Sequence, residues 1–474
     1  MSNNLKAGFA RVDITPEIGG VPLAGYGAPQ RRLARRILDP LWANAFALES
    51  GDERCLFIVL DIVSCPDSLI ERLREDIREA TSLPGDRVFI SCTHTHSAID
   101  VRSDLPTSVH FVQEELPAKL TDAAKRAVAD LKPAKLSYGK IDVGNPGFRM
   151  NFNRYYYMTE IEKKDDYKPE DRICVGDNFG WQYQFGDLKD KYCYVGHEEE
   201  ADHSMQLLRF TRDAADDIVV MHFAAHPTLT GGLNEPNLSS DFPHTTILRL
   251  EELLPGTKAV FLQGCAGNVN ALTKIRDEGV AGLTFGKGAL KSHRAYGAIL
   301  AGYAYDALEN NMVDSATDGL DFRRVIHTAE LDHSMDELVP KTPEIVKIYE
   351  EEGYTRRVRL LCIEKGFNSI YHVNAARRKA NEPKEGSFEL NAIRIGDCAV
   401  VTNPFEMFSA TGLHIKAASP FAMTFVSAYS CGAQNYLPSA NSTLNSYESN
   451  QTRYVRGTAE VLEGVYQKML EEIS

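Results

Sequence analysis

Two apolar runs with one amphipathic helix between them constrain this chain most. Cys55-Leu-Phe-Ile-Val-Leu-Asp61-Ile-Val63 is apolar without alternation, the pattern of a strand covered on both faces. Pro66 and Asp67 then open a helix to about Ala80, with Leu69, Ile70, Leu73 and Ile77 at helical spacing. After the turn Pro84-Gly85-Asp86 comes Val88-Phe89-Ile90, a second buried strand. A strand–helix–strand unit of this kind predicts an α/β fold.

The second strand breaks directly into Ser91-Cys-Thr-His94-Thr-His96-Ser-Ala98. In extended chain, residues two apart point to one side, roughly 6–7 Å apart, so His94 and His96 can face one cavity. One can hold a metal while the other handles a proton; the competing reading is two strand-end imidazoles satisfied by hydrogen bonds.

The same logic recurs along the chain. A hairpin around Arg212 leads to Val219-Val-Met-His222-Phe-Ala-Ala-His226-Pro; His222 lies inside the apolar run and reads as a core residue, His226 at its end as a ligand. The strand Ala259–Gln263 runs into Gly264-Cys-Ala-Gly267-Asn-Val-Asn270, where glycines let backbone amides face a ligand. The strand Cys398–Thr402 ends at Asn403-Pro-Phe-Glu406, where a helix is expected to start. A helix from about Gln113 to Leu131 and a C-terminal helix from about Arg453 complete the outline. Residues 155–205 carry eight Tyr or Trp residues without lasting periodicity, as a lid or partner surface would.

Composition excludes several classes. The 474 residues are 43% hydrophobic and 25% charged, as in folded globular proteins. A net charge of −14 offers no counterion release to a polyanion, so no nucleic acid is expected and a small-molecule substrate is. Nine scattered cysteines with no C-x-x-C pair suggest reduced thiols. With no signal-like start and no apolar run of membrane length, a cytoplasmic protein without stable membrane insertion is expected, and a homo-oligomer is possible.

Taken together, Arg11-Val-Asp-Ile-Thr-Pro16 with Leu23-Ala-Gly-Tyr-Gly27, Thr93-His-Thr-His-Ser97, Asn153-Arg154, His226-Pro-Thr228, Gly264–Asn270, Pro404-Phe-Glu406, and Asn435-Tyr436-Leu-Pro with Tyr447-Glu448 resemble the neutral/alkaline (non-lysosomal) ceramidase family. The resemblance implies a single ceramidase-like α/β catalytic domain over residues 1–474, with mixed sheets in several layers and an aromatic-rich insertion at about 155–205, and without the family's C-terminal immunoglobulin-like domain. It implies one Zn2+ per chain, held by His94, His226, Glu406 and Tyr436, that activates a water for hydrolysis. His96 would move a proton or bind the developing oxyanion, Arg154 would polarise the carbonyl, and Tyr447 would add a hydrogen bond. Gly25, Asp61 and Gly267 are expected around the substrate, Gly25 through its backbone.

One departure stands out: the family carries serine and proline where this chain has Asn270-Ala271. Asparagine is no nucleophile but can donate a hydrogen bond, so a water-based mechanism fits and a serine-based one does not. The expectation is therefore a zinc hydrolase for a small polar N-acyl compound rather than ceramide. A zinc-dependent isomerase or lyase on a sugar or keto acid, and a non-catalytic metal-stabilised binding protein, are the competing readings.

Overall fold

The computed structural model describes residues 4–17, 19–25, 32–145, 148–176, 191–198, 200–230, 236–271, 292–444 and 446–474. Its largest sheet runs in the order Thr257–Gln263, Asp217–Phe223, Ser204–Arg212, Lys132–Asp142, Leu5–Asp13, Trp42–Ser50, Glu53–Leu60, Val88–Cys92, with Val313–Asp314 also pairing Lys132–Asp142. A second sheet runs Leu320–Glu330, Glu385–Ile395, Cys398–Thr402, Met423–Ser427. Both are mixed: the pairs formed by Glu53–Leu60 with Val88–Cys92, Asp217–Phe223 with Thr257–Gln263, and Cys398–Thr402 with Met423–Ser427 are parallel, and most others antiparallel.

Period-two burial explains the layers. Along Glu53–Leu60, Cys55, Phe57 and Val59 share a core with Ile393, Val400 and Phe425 of the second sheet. The intervening Leu56, Ile58 and Leu60 pack with Leu69, Leu73, Leu120 and Ala123, which lie on helices Asp67–Thr81 and Leu116–Ala129. On the second sheet, Leu390, Ala392 and Val401 instead pack with Leu462, Tyr466 and Met469 of helix Thr458–Ile473. The order is thus helix, sheet, sheet, helix, and strands such as Glu53–Leu60, Val88–Cys92 and Cys398–Thr402 are buried on both faces. Helices Asp241–Leu253 and His293–Asn310 cover the far end of the large sheet through Phe242, Tyr296 and Leu300.

Several sequence expectations need correction. The helix expected from Gln113 begins as Pro106–His110, with Pro106 in the first turn, passes through a wide turn at Phe111–Glu115, and continues as Leu116–Ala129. The C-terminal helix starts at Thr458 rather than Arg453, after a short helix Tyr447–Gln451. Glu406 does not open a helix. It forms a two-residue strand parallel to Tyr436-Leu437, and the helix starts at Ser409. The aromatic segment after residue 155 is not a plain loop, since Tyr155–Glu160, Ile173–Gly176 and Tyr192–His197 form a three-stranded antiparallel sheet; Trp181 and Tyr183 lie outside the described residues. Among the described residues no helix is long and apolar enough to cross a membrane.

Candidate active site

The loops that follow four buried strands meet at one place and can carry chemistry there, although Val88–Cys92 and Asp217–Phe223 run in opposite senses along the large sheet. His94 follows the strand Val88–Cys92 by two residues, His226 follows Asp217–Phe223 by three, Glu406 follows Cys398–Thr402 by four, and Tyr429 follows Met423–Ser427 by two. The two sheets are stitched together here: Cys92 N–H donates to Tyr429 O at 3.0 Å and Cys431 N–H to Ile90 O at 2.7 Å.

His94 and His96 do share a cavity, though not by the strand alternation the sequence suggested. The strand stops at Cys92, and His94 takes a left-handed backbone with φ of 64°, a conformation costly enough to need support from its surroundings. Thr93 N–H to Leu60 O at 2.9 Å and Thr95 N–H to Ile62 O at 3.3 Å supply that support. Tyr429, itself left-handed at 53°, stacks its ring on His94 with centroids 3.8 Å apart.

The ring protons are fixed by backbone carbonyls. A carbonyl can only accept, so His94 Nδ1–H donates to Val63 O at 2.7 Å and His226 Nδ1–H to Ala266 O at 2.6 Å. Arg154 Nη2 lies 3.3 Å from that His226 nitrogen, which is protonated and cannot accept, and donates to Gly267 O at 2.5 Å. Both Nε2 lone pairs therefore point into the cluster, 3.1 Å from one another. Glu406 Oε2 lies 3.2 Å from His94 Nε2 and 3.5 Å from His226 Nε2, and it makes no aligned hydrogen bond although buried. His96 Nε2 lies 3.0 Å from His94 Nε2.

Electron pairs facing one another at such distances call for a cation between them. Four donors bonded to zinc at about 2.0–2.1 Å sit about 3.3 Å apart in a tetrahedron, and the spacings of His94, His226 and Glu406 match that edge. The donor set of imidazole and carboxylate therefore fits a zinc-like ion. His94, His96 and His226 form a group able to hold a metal, so His96 stands closer to the ligands than its expected proton-handling role required.

Burial pushes the His96 imidazole well below its ordinary pKa, with His94 and His226 adding to the effect. Burial also brings His226 down to about 4, helped by the positive Arg154. For Glu406 burial acts upward, but His94 and His226 outweigh it and hold the carboxyl well below the usual range. Tyr436 is pushed well above a phenol's ordinary value by burial and then by the Glu406 charge.

The remaining expected residues fall into two groups. Gly25, His94, His96, Glu406, Tyr436 and Tyr447 line one cavity of about 220 Å³. Gly25 has φ of 91°, and a β-carbon on it would lie 2.2 Å from His96 Nδ1, so only glycine lets that ring approach. Arg154, Asn270, Gly267 and Asp61 stand behind this surface. Arg154 is buried, with Nη1 3.2 Å from Glu448 Oε1. Asn270 is bridged to His226 through the backbone. The Gly267 amide is used by Met407 O at 2.9 Å. Asp61 accepts Trp42 N–H at 2.9 Å and the Thr93 hydroxyl at 3.3 Å, with burial raising it to about 7. His222 is the core residue the sequence suggested, its Nε2–H donating to Val426 O at 3.0 Å.

Sequence reasoning missed Tyr429 and the role of Glu448. Tyr429 was findable by the rule that found His94, a polar residue two beyond a buried strand. Glu448 is fully buried and also takes the Tyr155 hydroxyl at 3.2 Å, a partnership only the fold creates.

A family model described as neutral/alkaline non-lysosomal ceramidase, N-terminal, matches residues 5–174. The fold matches the crystal structure of neutral ceramidase from Pseudomonas aeruginosa with a TM-score of 0.68 and 17% identity, covering 100% of this chain and 75% of that one. A ceramidase complexed with C2 matches with a TM-score of 0.69, the same 17% identity and the same coverage. No curated protein matches the sequence significantly. The chain is thus similar, in sequence over residues 5–174 and in fold along its whole length, to the neutral/alkaline non-lysosomal ceramidases.

Proposed function

We propose that this protein is a zinc-dependent hydrolase with one metal per chain, cleaving the amide or ester bond of a small polar N-acyl compound rather than ceramide. The observation that carries the reading is the convergence of the His94 and His226 Nε2 lone pairs on Glu406 Oε2, with each Nδ1 proton fixed elsewhere. The family match and the shared fold support a hydrolase. A cavity of about 220 Å³ supports the small substrate, being below the 300–1,000 Å³ typical of sites for drug-sized ligands.

His94, His226 and Glu406 would hold the metal, with Tyr436 beside Glu406 in the same ladder. A bound zinc ion supplies Lewis acidity, which acidifies water near neutral pH and polarises a carbonyl. His96, pressed against Gly25, would take and return a proton. Arg154 lends positive charge from behind His226, and the Tyr447 hydroxyl would donate to the substrate oxygen. Asn270 replaces a nucleophilic hydroxyl with an amide, which leaves water as the attacking group.

Plasma emission spectroscopy on protein purified without chelator should find one zinc per chain, lost in His226→Ala and kept in His96→Ala. Incubation with N-acyl amines in oxygen-18 water should place label in the acyl product. A metal-loaded protein that leaves every acyl bond intact would turn the reading toward an isomerase or lyase.

A further inference from the structure

Polar groups around the cavity divide into those spent on the protein and those left for something else. Gln451, for instance, donates to Tyr371 O at 3.2 Å and accepts from Arg378 at 3.0 Å. Four lining residues outside the histidine–Glu406 cluster and its tyrosines are different. Among the described residues, the side chains of Ser64, Arg102 and Asn435 make no hydrogen bond or ion pair, and Asp100 uses only Oδ1, accepting Arg102 N–H at 3.0 Å.

Asp100 and Arg102 are two residues apart and carry opposite charges, yet they form no ion pair among the described residues. Their loop is held by its backbone, with Asp100 N–H donating to Pro22 O at 2.8 Å and Ser103 N–H to Asp100 O at 3.2 Å. Among the described residues the aliphatic lining nearby comes from Ala24, Val63, Pro404 and Ala433. A carboxylate here disfavours an anionic ligand and a guanidinium a cationic one. A neutral ligand with several hydroxyls suits both, because hydroxyls donate to Asp100, accept from Arg102, and do either with Asn435 and Ser64.

Resting on the hydrolase reading above, we propose that the substrate's amine half is a neutral polyhydroxylated ring, an amino sugar acylated on nitrogen, with Asp100 and Arg102 as specificity-determining residues. In the reaction the acyl C–N bond breaks and the oxygen of water joins the acyl carbon. Both water hydrogens pass to nitrogen, giving a carboxylate and the sugar's ammonium form.

The test compares three amides with the zinc-loaded protein: N-acetyl-D-glucosamine, N-acetylcyclohexylamine, which lacks the hydroxyls, and N-acetylglycine, which carries a carboxylate. The sugar amide should have a KM about tenfold below the cyclohexyl amide. Asp100→Asn and Arg102→Gln, both changes at the cavity rim, should each raise that KM about tenfold while kcat changes much less. Calorimetric titration with D-glucose, a neutral polyhydroxylated ring, should show the same weakening. Equal handling of the cyclohexyl amide, preference for N-acetylglycine, or variants without effect overturns the proposal and leaves the hydrolase standing. If none of the three is cleaved, the hydrolase reading fails for this class and the titration alone decides. Binding weakened by both variants then supports the sugar site, and no binding overturns it.

Discussion

Gly267→Ala probes the site through its backbone. A β-carbon at Gly267 would lie 2.3 Å from Glu406 O and 2.9 Å from Met407 O. Gly267 is not among the positive-φ residues, so alanine meets no conformational penalty and the substitution tests space alone. Relaxing a carbon–oxygen contact from that distance to about 3.3 Å moves the Glu406–Met407 strand by about 1 Å. Metal ligands tolerate about 0.2 Å, so the Glu406 carboxylate leaves its place beside His94 and His226. Overpacking of this kind costs about 1–3 kcal/mol, and loss of ligand orientation lowers metal affinity by about 10–100-fold. Zinc affinity would be measured by competition with a chromophoric chelator, and stability by urea denaturation of the metal-free proteins. A Gly267→Ala protein that binds zinc within about twofold of wild type refutes the claim that this close approach sets the Glu406 position.

Glu448→Gln should cost about 3–5 kcal/mol in chemical denaturation, because it leaves Arg154 buried without the carboxylate 3.2 Å away; a much smaller loss would mean that Gly267 O is the guanidinium's main support. Glu389 holds Arg74 at 2.7 Å through both oxygens, and although burial pushes its carboxyl up, Arg74 brings it down from 4.5 to about 2. A depressed folded-state value means stability that is complete above about pH 4.5 and is lost as pH falls toward 2, about 3 kcal/mol in all; stability of Glu389→Gln should lack this acid slope. The Tyr429 hydroxyl is buried with no hydrogen-bond partner among the described residues, so Tyr429→Phe should gain up to about 1 kcal/mol and keep zinc, whereas Tyr429→Leu, which removes the stack on His94, should weaken zinc binding in the chelator assay.

The parts of the site legible in the sequence were those written as local breaks in pattern. His94, His226 and Glu406 each follow an apolar strand within a few residues, so their place at a sheet edge could be read from chain order alone. What could not be read was how each residue uses its reach. Asp61 and Gly267 belong to the right neighbourhood, yet one is turned toward Thr93 and the Trp42 amide and the other gives its amide to Met407. Those choices depend on register between strands far apart in sequence. The layers were legible from continuous apolar runs, while the strands at Tyr155–Glu160 and Tyr192–His197 were not, since the first buries Tyr155, Tyr156, Met158 and Thr159 without alternation and the second is short and half-exposed. Helix ends differed where a local signal went unused, Pro106 in the first turn of one helix and Gly457, left-handed at φ of 97°, just before the other.

The donors that converge at the cavity are drawn from position 94 to position 436, and the two sheets that carry them are joined beside it when Cys92 and Ile90 bond to the Tyr429–Cys431 turn. A chain emerging from the ribosome therefore has its histidines long before its carboxylate and phenol, and the first half alone holds no finished binding place. Closing such a loop is a late, entropically costly event in folding. Acquisition of the ion would mark the end of biosynthesis, so that a fluorescent zinc indicator followed during refolding would time the docking of the second sheet onto the first.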